Sequence, residues 1–547
     1  MMSIHPQTIG SLLKEKKEQH PAHEAIVYPE RSLRYSYEAF FREVKETGKG
    51  LMALGVQKGD HIAIMAPNVP EWLMLQFACA SIGAVLVTVN TNFQSQELAY
   101  LLKHSDSSML FIVDGFKETS YVRMLEDLIP ELKTAHQDEI SSSSFPYLKS
   151  VVYIGEHTPK GMRSWDSIQT AAKRTEDDEW EKRMGELKPD DVINMQYTSG
   201  TTGYPKGVML SHTNIVCNAS QIADCMKLTH EDRMCIPVPF FHCFGSVLGV
   251  LACLAKGGTI IPIESFHPER VLQTVEQEKC TVLHGVPTMF IAELDHPNFH
   301  QYDLSTLRTG IMAGSLCPSH VMKAVIEQMG LKELTIAYGQ TESSPVITQT
   351  RTDDSFERRV QTVGRALPHI EVKITAPGTQ TQDEMPRGEQ GELCTRGYHV
   401  MKGYYKNEEA TNEVIDEDGW LHTGDLAEMD EDGYVKITGR LKDMIIRGGE
   451  NVYPKEIEDV LYTHPAILDA QVVGIPDETY GEEAAAFIRL KQGHTVTIES
   501  LTSYCQSQMA RYKIPKYFFI TDEYPMTASG KIQKFRLKKQ ALDLIKE

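Results

Sequence analysis

Hydrophobic and polar positions in the first part of this chain switch between two periods. The segment SYEAFFREVKETGKGLMALG, from Ser36, spaces its apolar residues along one helical face. DHIAIMAP reads as a strand, EWLMLQFACASIG as a helix, and AVLVTVN and SMLFIV as buried strands. Parallel strands need crossover helices, so this alternation predicts a layered α/β domain with mostly parallel sheet. A second α/β pattern runs over residues 191–347. Turn-rich segments follow, RGEQGELCTRG and DEDGWLHTGDLAEMDEDGYVKITGR, and suit short strands and hairpins. The pattern then restarts: PKEIEDVLYTHP is helical, ILDAQVVGI and EAAAFIRL are strand-like, and TIESLTSYCQSQM is helical again. The expected architecture is a large N-terminal domain over residues 1–440, with layered α/β subdomains and a small β-rich one. An α+β C-terminal domain is expected over residues 441–547.

At 547 residues the chain is too long for one hydrophobic core. A formal net charge of -20 argues against non-specific binding to nucleic acid or anionic membrane. Lys531, Lys534, Arg536, Lys538 and Lys539 form a local exception, read either as a solvated helix face or as a phosphate site. The ten cysteines contain no C-x-x-C pair and read as reduced thiols of a cytoplasmic protein. Charges near the N-terminus stand where a signal peptide needs its apolar core. Residues 72–96 carry no charge, yet Gln76, Ser81, Thr88, Asn90 and Asn92 interrupt the apolar surface. That composition predicts a buried helix over 71–82 and a strand over 84–89, with no integral membrane segment.

The most informative stretch is Tyr197-Thr-Ser-Gly-Thr-Thr-Gly-Tyr-Pro-Lys-Gly207. A strand over 192–196 feeds a loop of hydroxyls and glycines that ends in a lysine. Glycines let backbone amides approach an anion closely, hydroxyls add donors and Lys206 adds charge. The spacing is not that of a Walker A loop. This segment resembles the phosphate loop of the acyl-adenylate-forming superfamily, which includes acyl-CoA synthetases, luciferases and peptide-synthetase adenylation domains. Further signatures follow in the family's order: Tyr338-Gly-Gln-Thr-Glu342, Gly391-Glu-Leu, Arg396-Gly397, His422-Thr-Gly-Asp425, Gly439-Arg440-Leu-Lys-Asp443 and Ser529-Gly-Lys531.

The resemblance implies an AMP-forming acid:CoA ligase that uses ATP, CoA and Mg²⁺, with a C-terminal domain that moves between two states. It assigns Thr198, Ser199, Gly200, Thr201, Thr202, Gly203, Lys206, Gly314, Tyr338 and Gly339 to the nucleotide. Thr341 would donate to the α-phosphate and Glu342 would hold Mg²⁺. Asp425 and Arg440 would take the ribose. Lys531 would bridge the substrate carboxylate and the α-phosphate. Lys442 matches the hinge, and Gly448 and Gly449 would line the CoA tunnel.

His242, in PFFHCFG, falls where amino-acid-activating members place an aspartate, so an amine-bearing substrate is disfavoured. With Phe240, Phe241 and Phe244 it suggests an apolar acyl pocket, to which Ala313 and Gly339 would add small-residue walls. A tunnel open beyond Gly339 predicts that tryptophan there inverts the preference from medium chains to acetate. No carrier-protein module follows Lys531, so free CoA is the expected acceptor. A fatty-acid:CoA ligase is the reading, with an aryl-acid ligase, a luciferase-like oxygenase and an inactive ATP-binding regulator as the alternatives. The expected partners are small molecules, and a homodimer is left open.

Overall fold

The uncharged stretch forms the helix Pro70–Ile82 and the strand Val85–Thr88, as its composition predicts. Proline in the first turn brings a fixed φ where its missing N–H costs nothing. Every residue of that helix except Glu71 is buried, so the missing polar face marks a core helix. Among the described residues no helix is long and apolar enough to cross a membrane.

The computed structural model describes residues 6–133, 140–198, 205–314, 317–377, 383–448, 450–527 and 532–546. The chain divides into two units, Met1–Glu371 with Arg396–Leu421, and Val372–Thr395 with His422–Glu547. Unit 1 holds two large sheets. In the nine-stranded sheet, the strands Glu333–Gly339, Thr309–Met312, Val282–Leu283, Arg233–Ile236, Thr259–Pro262 and Glu24–Tyr28 are successive parallel neighbours. Antiparallel strands close both ends. In the eight-stranded sheet, Val192–Thr198 starts a parallel run through Val85–Thr88, His61–Met65, Met109–Ile112 and Ser150–Tyr153. Its other edge turns antiparallel, through Lys206–Ser211 and then Gly403–Tyr404. Each sheet has its own core. Cys235, Ile261, Leu283, Phe290 and Met312 belong to the first, and Ala63, Val87, Leu110, Val151 and Met195 to the second.

In unit 2 the turn-rich segments form the expected hairpins, a four-stranded sheet of Ile370–Thr375, Gly391–Gly397, Leu421–Met429 and Val435–Arg440. Compactness groups this sheet with the C-terminal residues, so unit 2 begins upstream of residue 440. Beyond Ile445 a five-stranded sheet has its own core, built on Ile445, Ile457, Ala470, Ala486 and Phe518. The predicted elements are there: helices Pro454–Tyr462 and Ile498–Gln508, and strands Ile467–Asp477 and Gly481–Leu490. None of the ten cysteines forms a disulfide, and nine are buried.

One buried group works against this stability. Glu293 sits on the helix Pro287–Leu294 with 1% exposure, and its Oε2 has no hydrogen-bond partner. Burial pushes its carboxyl well above the usual carboxylate range. The folded state therefore keeps a proton that the unfolded state loses above pH 4.5. By linkage this group's contribution falls as pH rises above that value, by up to about 1.4 kcal/mol per unit. Glu293→Gln removes the titration, so its gain in thermal stability over wild type is expected to widen from pH 5 to pH 8. An offset that stays constant across that range contradicts the buried, protonated carboxyl.

Candidate active site

The strand Lys206–Ser211 has two partners. On one side it pairs with Val192–Thr198, with Thr198 opposite Lys206. On the other it pairs with Gly403–Tyr404, with Val208 opposite Tyr404. Tyr405 N–H donates to the Gly207 carbonyl (2.8 Å) and Lys402 N–H to that of Met209 (2.9 Å), which extends the second ladder. These pairings bring distant side chains together. The Tyr404 hydroxyl donates to Glu342 Oε1 at 2.9 Å, and Thr198 Oγ1 reaches the same oxygen at 3.4 Å. Lys206 Nζ lies 4.7 Å from the centre of the Tyr404 ring, a cation–π contact. Burial, then the Glu342 charge, pushes the Tyr404 phenol far up, so it stays a neutral donor. Ser199, Gly200, Thr201, Thr202 and Gly203 lie outside the described residues.

Glu342 belongs to the short turn Thr341–Ser343, which follows the strand Glu333–Gly339. Neighbouring segments fix that turn. Ser343 Oγ donates to the Pro345 carbonyl (2.6 Å), Ser344 Oγ to that of His399 (2.6 Å), and Met401 N–H to that of Glu342 (2.9 Å). Asn218 meets both polar groups of the Val346 backbone. Tyr338, half-buried, pairs across to Thr348.

Gly339 meets a backbone constraint in addition to the pocket role expected of it. A Cβ there would stand 1.8 Å from the Pro345 carbonyl oxygen. The glycine lets two backbone segments touch at the turn that carries Glu342, so a substitution disturbs the turn before it can fill any tunnel.

The segment around His242 is apolar and braced. Asn68, 2% exposed, donates to the Val238 and Ile263 carbonyls and accepts from Phe240 N–H. Phe240, Phe241 and Phe244 are buried. His242 is half-buried, and its Nδ1 accepts the Phe244 N–H at 3.1 Å. Next in sequence, Cys243 Sγ lies 3.9 Å from Thr341 Oγ1. A π-helix, Phe244–Leu251, continues the chain, a wide-turn geometry frequent at functional sites. Ala313 is buried, and Gly314 takes a positive φ of +89°.

In unit 2, Asp425 and Arg440 are cross-strand partners with Arg440 Nε 3.2 Å from Asp425 Oδ1. Asp425 follows a turn in which Gly424 takes φ +70°, a conformation that suits glycine. Thr423 Oγ1 donates to the Leu393 carbonyl (2.7 Å) and accepts from Asp425 N–H (3.1 Å). His422 Nδ1 lies 3.4 Å from Cys394 Sγ and 3.2 Å from Glu392 Oε2. Those two partners push the His422 pKa up to about 10, so the ring is charged at neutral pH. Glu392, Cys394 and His422 are also the one group among the described residues with three metal-capable atoms within 4.8 Å of one another. The contacts of His422 with Cys394 and Glu392 have hydrogen-bond lengths, and Glu392 Oε1 is committed to Gly424 N–H at 3.0 Å. Lys442 lies in the turn Leu441–Asp443 that follows Arg440, and Gly448 donates its N–H to the Tyr480 carbonyl (2.8 Å). Gly449 and Lys531 lie outside the described residues, although Met526 and Ile532, flanking Lys531, pair antiparallel.

Sequence reading missed Tyr404, and it named Glu392 only within the Gly391-Glu-Leu signature, without a role. No spacing rule ties Tyr404 to Glu342, 62 positions away, because the link is a strand pairing. For Gly339 the expected outcome is now loss rather than inversion. Gly339→Ala and Gly339→Trp should both lower stability by roughly 1–3 kcal/mol and depress activity with every acid. Thermal unfolding and an acid panel check this, and a folded Gly339→Trp enzyme that prefers acetate contradicts it.

The comparisons agree with this geometry. Residues 13–405 match the AMP-binding enzyme family, and residues 456–531 match the AMP-binding enzyme C-terminal domain. A protein named "Putative acyl-CoA synthetase YngI", from Bacillus subtilis, is 62% identical over 544 residues, 100% of this chain and 99% of its own. The mitochondrial medium-chain acyl-CoA ligase ACSF2 of Danio rerio is 42% identical over 98% of this chain and 89% of its own. Among solved structures, ATP-bound MatB from Rhodopseudomonas palustris superposes with a TM-score of 0.82 at 27% identity, covering 98% of this chain and 100% of its own. The anthranilate CoA ligase AuaEII in complex with anthranoyl-AMP gives 0.85 at 25% identity, covering 100% and 99%. With the Thr198–Lys206 strand pairing, a braced Thr-Glu turn and both domains matched, this chain belongs to the AMP-binding enzyme family, among its acyl-CoA synthetases.

Proposed function

We propose that the chain joins a medium-length fatty acid to CoA in two steps, through an acyl-adenylate. The observation that carries this reading is the meeting of Thr198, Tyr404 and Glu342 beside Lys206. A carboxylate that attacks the α-phosphorus of ATP approaches a highly charged anion. Fixed cations and donors must offset that repulsion before reaction. Lys206 and the hydroxyls of Ser199, Thr201 and Thr202 take the triphosphate, and Thr341 donates to the α-phosphate. Glu342 Oε2 receives no hydrogen bond from the described residues, and a hard carboxylate oxygen of that kind suits Mg²⁺. When bound, Mg²⁺ supplies neutralisation of phosphate charge.

Tyr338 flanks the adenine, while Asp425 and Arg440 hold the ribose. Lys531 is the mobile point charge between substrate carboxylate and α-phosphate, a role that suits a flexible ammonium. The substrate oxygen bonds to phosphorus as pyrophosphate leaves. Rotation about Lys442 then exchanges the Lys531 face for one bearing Gly448 and Gly449, and the CoA sulfur attacks the acyl carbon and expels AMP. Ten thiols with no disulfide among them fit a reducing compartment, and we assign the protein to the cytoplasm.

Three buried phenylalanines beside His242, in a segment without a carboxylate, favour an apolar acid. The name of the Danio rerio relative supports medium chains. Each methylene buried in the pocket adds about 0.8 kcal/mol, or roughly fourfold in kcat/KM, until the pocket ends. Thioester formation across straight-chain acids from acetate to palmitate, with benzoates alongside, tests the assignment. A steep rise to medium chains is expected. A preference for acetate or for a benzoate overturns it.

A further inference from the structure

The carboxylate of Glu392 is 5% exposed and divides its two oxygens between the first and third residues of the turn His422-Thr-Gly-Asp425. Oε2 faces the charged His422 ring at 3.2 Å. Oε1 accepts the N–H of Gly424, the residue whose left-handed backbone aims Asp425. Thr423, between them, is tied to the backbone of Leu393, the residue after Glu392. One strand thus grips the turn through three successive residues and leaves the Asp425 carboxylate beside Arg440.

We propose that Glu392 is a positioning residue for the ribose of ATP, acting through this turn on Asp425. The inference rests on the reading of Asp425 as the ribose anchor. A carboxylate that accepts from two sugar hydroxyls must hold one orientation, and an unbraced glycine-containing turn would not keep it. Glutamate meets both needs of the brace: one oxygen for a backbone N–H, and a negative charge for the imidazolium. Charge-assisted bonds of this kind are the stronger class of hydrogen bond. Cys394, on the same strand as Glu392 and 3.4 Å from the same ring, is itself in contact with Thr375 of the neighbouring strand.

The test compares ATP with 2′-deoxyATP and 3′-deoxyATP in acid-dependent AMP formation by the full chain. Wild type should prefer ATP, and Asp425→Ala should collapse that preference. Glu392→Ala should collapse it too, with the KM for ATP raised about tenfold, the loss of a charge-assisted bond, while the KM for the acid stays. Glu392→Gln keeps an acceptor for Gly424 but loses the charge, so it should fall between wild type and Glu392→Ala. A role in stability alone would lower the melting temperature without moving the ratio between nucleotides. If Asp425→Ala loses the preference and folded Glu392→Ala keeps it, the inference fails and the ribose reading stands. If Asp425→Ala also keeps it, the ribose reading fails and takes the inference with it. Should Glu392→Ala not fold, an unchanged ratio and KM in Glu392→Gln overturn the proposal.

Discussion

A strand with partners on both edges holds Thr198, Lys206, Tyr404 and Glu342 together. Lys206–Ser211 pairs with Val192–Thr198 on one side and with Gly403–Tyr404 on the other. The first pairing sets Thr198 opposite Lys206, at the two ends of the loop. The second carries the Tyr404 ring to Lys206 and its hydroxyl to Glu342. Separately, each group would be a mobile surface lysine, a buried phenol or an acidic turn residue. Backbone ladders fix them together, so their orientation is set before any ligand arrives.

The turn carrying Glu342 is over-determined in the same manner. Its hydroxyls, its backbone and Asn218 all make bonds, and the Gly339 contact with Pro345 leaves no room for a side chain. Unit 2 repeats the device on a smaller scale, where a hairpin presents Asp425 and Arg440 and the neighbouring strand grips the turn. Rigid strands thus aim the polar groups, while the glycines allow tight backbone geometry. The price is a set of buried polar atoms, Glu293 among them, that no partner satisfies.

Much of this was legible in sequence because it is local. The uncharged apolar run gave the helix Pro70–Ile82, apolar periodicity gave the elements after Ile445, and glycine-rich spacing marked the hairpins of the four-stranded sheet. What escaped was non-local. Tyr404 reaches Glu342 through a two-residue strand too short to register as a pattern. Glu392 and His422, 30 positions apart, meet only because their strands are neighbours. Gly339 illustrates a third limit. Its missing side chain suggested space for an acyl chain, while a carbonyl already occupies that volume. The π-helix after His242 has the same apolar composition as an α-helix, so periodicity could not distinguish the two.

The central claim is that these residues join a carboxylate to the α-phosphorus of ATP and release pyrophosphate before CoA takes part. Isotope exchange between labelled pyrophosphate and ATP, without CoA, isolates that step. Exchange that requires a fatty acid, and that Glu342→Gln reduces by about tenfold or more, is the predicted result. Exchange that is absent without CoA, or ATP cleaved to ADP and phosphate, would contradict the account.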